Sequence, residues 1–258
     1  MTGLSKTIWG SFGVLVVIFM LSPLVLVVLF SFGENDHAAF PMGGLTLGWY
    51  ETLFSSRDFL VALKNSVIVT GSVGVFSTVI GTLAALALVR LPMRRAGLMI
   101  MVLSLPIMMP ALVLALALLS AYAALGFRLG IETVIPSQLV FTQPFVILIV
   151  YARMVSFDHA MIEGARDLGA SPFRAFFTVT LPIVRPTIIG AALIAMALSL
   201  DDFIITYFTI GGGLTLPTMV WGMLRTSLDP DINALATLII AFTISSTIIA
   251  LSVTRYRA

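Results

Sequence analysis

Long apolar runs, nearly free of charge, constrain this chain more than any other feature. Six of them cover residues 7–33, 65–89, 96–127, 133–152, 186–213 and 232–254. A helix needs about 20 residues to cross the hydrocarbon core of a bilayer. Each run is rich in Leu, Ile, Val, Ala and Phe, without the alternation of a barrel strand, so helices are expected. Composition agrees: 59% of the 258 residues are hydrophobic and only 10% are charged, against about 25% charged in soluble domains. With a mean hydropathy of +1.11, the chain has too little polar surface to face water alone. The expected fold is an all-α membrane protein with six transmembrane helices, a single transmembrane domain over residues 1–258. The first run is too long for a signal-peptide core and reads as a retained span. Pro106 and Pro110 should kink the third and free backbone carbonyls.

Several chemistries are excluded. There is no cysteine, which rules out disulfides, zinc–thiolate sites and cysteine nucleophiles. His37 and His159 are too few and too far apart in sequence to suggest a metal site. No G-x-x-x-x-G-K-[ST] phosphate loop occurs, and Gly211-Gly212-Gly213, followed by Leu-Thr-Leu-Pro, reads as a turn. No acid/base or nucleophile constellation stands out, so the chain is not expected to be an enzyme, and no nucleic-acid partner is expected.

Basic residues set the orientation. With the N-terminus inside, the inner segments hold Lys6, Arg90, Arg94, Arg95, Arg153, Arg166, Arg174, Arg185, Arg255 and Arg257, and the outer ones only Arg57, Lys64, Arg128 and Arg225. That bias obeys the positive-inside rule and places both termini in the cytoplasm. The outer loop 34–64 is long, and a short helix is expected around Leu47–Ser55. Its Trp49, Tyr50 and Phe54 suit either an anchor in the headgroup layer or contact with an external partner.

The inner loop 153–185 is too long for a connector and mixes both charge signs. Met161–Leu168 has good helix formers, and Gly169 suits a helix C-terminus that needs a left-handed residue. Ser171-Pro172 suits an N-cap and first helical position. Phe173–Val179 then reads as a second short helix, with Phe173, Phe176 and Phe177 bunched on one side and Leu181-Pro182 ending it. On the residues alone, this pair fits a segment resting on the membrane or a knob for a partner.

The spacing Glu163-Gly164-Ala165, Gly169, Val179, Leu181-Pro182 resembles the EAA signature of ABC importer permeases, EAA-x3-G-x9-I-x-LP, with Gly164 for Ala and Val179 for Ile. Trp49-Tyr50, Asn65-Ser66, Leu168-Gly169-Ala170, Ser199-Leu200-Asp201-Asp202 and Asn233-Ala234-Leu235-Ala236-Thr237 extend the likeness toward the second permease of spermidine/putrescine importers. The resemblance implies a type I importer permease fold, with the loop as a coupling helix in a groove of an ATPase. Glu163, Gly164, Ala165, Gly169, Phe173, Phe176, Phe177, Leu181 and Pro182 are then the coupling residues. The implied partners are a second permease, an ABC ATPase dimer that binds ATP and Mg, an extracytoplasmic binding protein, and membrane lipid. This chain itself would hold no cofactor.

Asp201 and Asp202 are the acids inside a predicted span, and intramembrane acids suggest function. Ser199, Asp202, Thr206 and Thr209 form one polar stripe in helical phase, suited to lining an aqueous path. Asp201 falls on an apolar face with Ala197, Ile204, Ile205 and Phe208, which suits packing. Either acid could meet a cationic substrate, or both could be paired at a helix break. The family pattern also carries an acid after the second proline of span three, where this chain has Ala111. An ion-coupled secondary transporter is the alternative, though no internal inverted repeat is visible.

Overall fold

The structure is a computed structural model that describes residues 3–35, 39–226 and 230–255. His37 and Arg257 lie outside the described residues. Among the described residues the regular structure is helical, apart from one isolated bridge between Gly33 and Leu45. Internal packing divides the chain into two units, Met1–Leu60 with Met219–Thr247, and Val61–Thr218 with Ile248–Ala258.

The first unit begins with α1 (Gly3–Phe30), whose stretch Trp9–Phe30 buries nothing within the chain. Leucine, valine and phenylalanine surround that helix on all sides, as lipid-facing helices require. The following loop closes on itself through Glu34 N–H to Gly44 O (3.1 Å) and Thr46 N–H to Phe32 O (2.8 Å). It leads into α2 (Gly48–Ser55). Trp49 Nε1 donates to Gly33 O at 2.7 Å, and the hydroxyls of Tyr50 and Ser31 lie 2.7 Å apart. Both aromatic residues thus spend their polar atoms on the loop that precedes them. The unit also holds most of α13 (Asp231–Arg255) and the end of α12 (Leu216–Thr226).

The second unit contains most of α3 (Arg57–Val89) and is organised around α7 (Ile131–Val155). The chain between them does not form one kinked helix. It breaks into α4 (Met93–Leu103), α5 (Leu105–Met108) and α6 (Ala111–Ala124). Met109 is extended because the ring of Pro110 excludes the helical conformation from its predecessor. Val146, Val150 and Met154 of α7 pack with Ala85 of α3 and with Val184, Ala191 and Ala195 of α10 (Leu181–Asp201). At the α3–α7 crossing, a Cβ on Gly81 would lie 2.6 Å from Val146 Cγ1, so only glycine permits this approach. Asn65 Nδ2 donates to Leu214 O (2.7 Å), and the amide of Leu216 donates to Ser66 Oγ (2.8 Å), tying the Gly211–Gly213 turn to α3.

Candidate functional site

Two interruptions in the second unit concentrate its polar chemistry. The first follows α7. Asp158 Oδ1 accepts from the amide of Ala160 at 3.0 Å and starts α8 (Ala160–Asp167). Gly169, at φ +86°, ends that turn: its N–H donates to Arg166 O (2.9 Å), and that of Ala170 to Ala165 O (3.0 Å). A side chain there would strain the left-handed backbone. Ser171 is extended, its Oγ accepts from the amide of Arg174 at 3.3 Å, and Pro172 opens α9 (Pro172–Ala175). Leu181-Pro182 does not end this second helix. A π-helical turn, Phe176–Thr180, carries it directly into α10, where Pro182 sits in the first turn. Pro182 has no N–H to donate to the preceding turn, and the change from α to π register over Phe176–Thr180 falls where that bond would be missing.

The helix pair presents apolar groups beside exposed charge. Leu168 is 91% exposed, Phe173 75% and Phe177 49%. The Phe173 and Phe177 rings lie 4.9 Å apart, and Phe176, half-buried, lies 5.1 Å from Phe177. Glu163, Gly164, Arg166, Asp167 and Arg174 are exposed, and Ala165 is half-buried. Beneath them Ile162 and Val179 pack toward the α7–α10 core. Leu181 is half-buried and Pro182 exposed.

The second interruption lies within the fifth apolar run. Helix α10 stops at Asp201, Asp202 is extended (φ −71°, ψ 111°), and α11 covers Ile204–Thr209. Asp202 Oδ2 accepts from the amide and hydroxyl of Thr206 (2.9 and 2.8 Å), and Oδ1 accepts from the amide of Ile205 (3.3 Å). The carboxylate therefore caps the new helix. Gln138 of α7 closes the network. Its Nε2 donates to Thr206 Oγ1 (2.8 Å), Ser199 O (3.3 Å) and Asp202 Oδ2 (3.3 Å), and its Oε1 accepts from Ser199 Oγ. One turn away, Thr133 Oγ1 donates to Thr209 O at 2.7 Å.

The stripe therefore points into α7: Ser199, Thr206 and Thr209 are buried, and Asp202 is half-buried. Asp201, assigned by helical phase to a packing face, is exposed. Ala197, on the same face of α10, is exposed with it, whereas Ile205, beyond the extended Asp202, is buried, so the apolar face does not carry across the break. Gln138 escaped the sequence reading. Its signal was present in two polar pairs four residues apart, Thr133 with Ser137 and Gln138 with Thr142, set in a mostly apolar helix. Among the described residues, no group of three or more His, Asp or Glu could hold a metal ion.

Residues 77–257 match the family described as "Binding-protein-dependent transport system inner membrane component". The chain is 29% identical over 242 residues to the spermidine/putrescine transport system permease protein PotC of Escherichia coli (strain K12), covering 93% of this chain and 91% of that one. It is 32% identical over 231 residues to the putrescine transport system permease protein PotI of the same strain, covering 86% and 82%. Among solved structures, a chain of a bacterial ABC transporter involved in the import of the acidic polysaccharide alginate shares the fold. The TM-score is 0.73 at 18% identity, over 97% of this chain and 96% of that one.

Proposed function

The chain belongs to the family of binding-protein-dependent transport system inner membrane components, and on that premise we propose that it passes a polyamine or related amine through an ATP-driven importer. It pairs with a second permease to form an alternating-access path. A dimer of ATPase subunits supplies ATP and Mg chemistry from the cytoplasm, and an extracytoplasmic binding protein delivers the solute. Both termini are cytoplasmic, as the distribution of basic residues favours.

The observation that carries this reading is the exposed ridge of Leu168, Phe173 and Phe177 on a charged, glycine-joined helix pair. Exposed aromatic anchors of this kind are typical of protein–protein hot spots. Glu163, Gly164, Ala165, Gly169 and Phe176 complete the docking element, and Leu181-Pro182 joins it to α10. A push on the pair therefore reaches the helix that carries the acids. At the break, an aspartate facing lipid would cost about 3 kcal/mol or more. Exposed Asp201 therefore suits a polar path beside a second permease rather than acyl chains. Asp202, Ser199, Thr206 and Thr209 form the wall behind it. The names of PotC and PotI favour a polyamine, which a carboxylate in a dry path would attract.

The test is to purify the protein from its native membrane, identify the co-purifying subunits, and reconstitute the complex with labelled putrescine and spermidine. ATP-dependent uptake is expected. Uptake driven by an ion gradient without ATP would overturn the assignment. Orientation is checked separately in this cysteine-free chain. A cysteine at Asn35 should label from outside with an impermeant reagent, and one at Ser171 only after permeabilisation.

A further inference from the structure

We propose that the turn joining α3 to α4 is a binding site for an anionic phospholipid. Helix α3 ends at Val89 and α4 begins at Met93, so only Arg90, Leu91 and Pro92 separate them. Arg90, Arg94 and Arg95 are all exposed. Their charge is uncompensated along the chain, which contains no acid between Asp58 and Glu132. Among the described residues, none of the three makes an ion pair or a side-chain hydrogen bond. Three guanidinium groups around so tight a turn suit a phosphodiester, which they can grip bidentately. Such cations are worth about fivefold each in affinity near an anionic bilayer surface.

The surrounding surface distinguishes a lipid from free phosphate. Ala96 is fully buried and fixes α4 to the rest of the unit. Its other side is apolar and open, with Leu98 59%, Met101 63% and Val102 62% exposed. On α3, Val79 and Leu83 are likewise exposed. Acyl chains lying along these residues would place a headgroup at the arginines. A protein partner fits less well. The three-residue turn cannot project beyond the headgroup layer, whereas the α8–α9 segment, about 25 residues from Ser156 to Thr180, can. The inner-leaflet address depends on the proposed orientation, but the binding itself does not.

The test titrates the full chain, purified in mild detergent with its partners, with phosphatidylglycerol or phosphatidylcholine and counts bound lipid by native mass spectrometry. Phosphatidylglycerol should bind preferentially and weaken as salt is raised, while phosphatidylcholine stays indifferent. Arg94→Gln with Arg95→Gln should lower phosphatidylglycerol affinity about 25-fold. Arg128→Gln, in another loop, should leave it unchanged. Arg94→Lys with Arg95→Lys keeps the charge that membrane insertion needs and should stay within about fivefold of the parent. Three outcomes overturn the proposal: a glutamine pair that binds phosphatidylglycerol normally, displacement of the lipid by millimolar inorganic phosphate, or loss of a co-purifying subunit with lipid binding intact. Should the glutamine pair fail to insert, salt-independent phosphatidylglycerol binding by the parent protein would overturn it equally.

Discussion

Ser156–Thr180 and Asp201–Ile204 both interrupt long helices of the second unit, yet they treat polar groups in opposite ways. The first stretch satisfies its backbone through Gly169 and Ser171 and leaves Glu163, Asp167 and Arg174 exposed beside bare phenylalanines. The second gathers an amide, two hydroxyls and a carboxylate around Gln138 and buries most of them. A segment with apolar and charged groups left open is built to be completed by another surface. A segment whose polar atoms complete each other is a joint, holding a broken helix at a fixed angle. Of the residues at the joint, Asp201 alone shares the open character of the first stretch.

The largest effects should come from the open stretch. Gly169→Trp would force a bulky residue into a backbone at φ +86° and alter the protruding turn. Phe177→Asp would put a charge into the apolar ridge without touching the core. Both variants should reach the membrane at normal levels, and uptake should fall to background. Normal uptake by either, with the ATPase still bound, would remove the loop from the coupling role.

At the joint, damage should appear as lost stability first. Gln138→Leu keeps the approximate volume but strips partners from Ser199, Thr206 and Asp202 together. Interhelical hydrogen bonds in membranes are worth about 0.6 to 1.7 kcal/mol each, so the total should be about 2–4 kcal/mol. The apparent melting temperature of the purified complex would drop clearly. An unchanged melting temperature would mean that the network is incidental to the packing of α7 on α10.

Next come the two acids. Asp201→Asn should lower uptake at least tenfold, about the worth of one charge-assisted contact to a cation, with assembly intact. Asp202→Asn should be milder, because asparagine caps a helix about as well as aspartate. Should Asp202→Asn abolish uptake in a well-assembled complex while Asp201→Asn is silent, the path lies on the other side of the break.

How much of this was legible follows from the range of each interaction. Gly169 and Ser171-Pro172 were readable because helix caps are chemistry between near neighbours. The apolar runs were readable because burial in lipid leaves a simple compositional mark. The π-helical turn at Phe176–Thr180 was not: Leu181-Pro182 reads as a stop, and only the tertiary course shows the proline in a first turn. Helical phase across Asp201-Asp202 held for the polar stripe but misled for the apolar face, where Ala197 and Asp201 are exposed and Ile205, beyond the extended Asp202, is buried. Gln138 was invisible to a search for charge, although it makes as many hydrogen bonds at the break as Asp202 does.

The smallest effects give the finest comparison, because one lost hydroxyl can be examined in each setting. Thr206→Val preserves shape and removes the Oγ1 that donates to Asp202 and accepts from Gln138, both at 2.8 Å. Ser171→Ala removes a hydroxyl that accepts one amide at 3.3 Å on an exposed turn. In the buried case no water can take the vacated place, so Nε2 of Gln138 keeps only two longer contacts, both at 3.3 Å. The cost should be about 1 kcal/mol or slightly more. On the exposed turn, water replaces the serine at once, and a bond this long belongs at the weak end of N-cap energies, about 0.5 kcal/mol. Melting of the assembled complex should therefore fall more for Thr206→Val, and uptake should fall modestly for it and less than twofold for Ser171→Ala. A reversal, with Ser171→Ala the more damaging in melting, would mean that the helix pair is braced from within. The contrast between an open docking element and a closed joint would then fail.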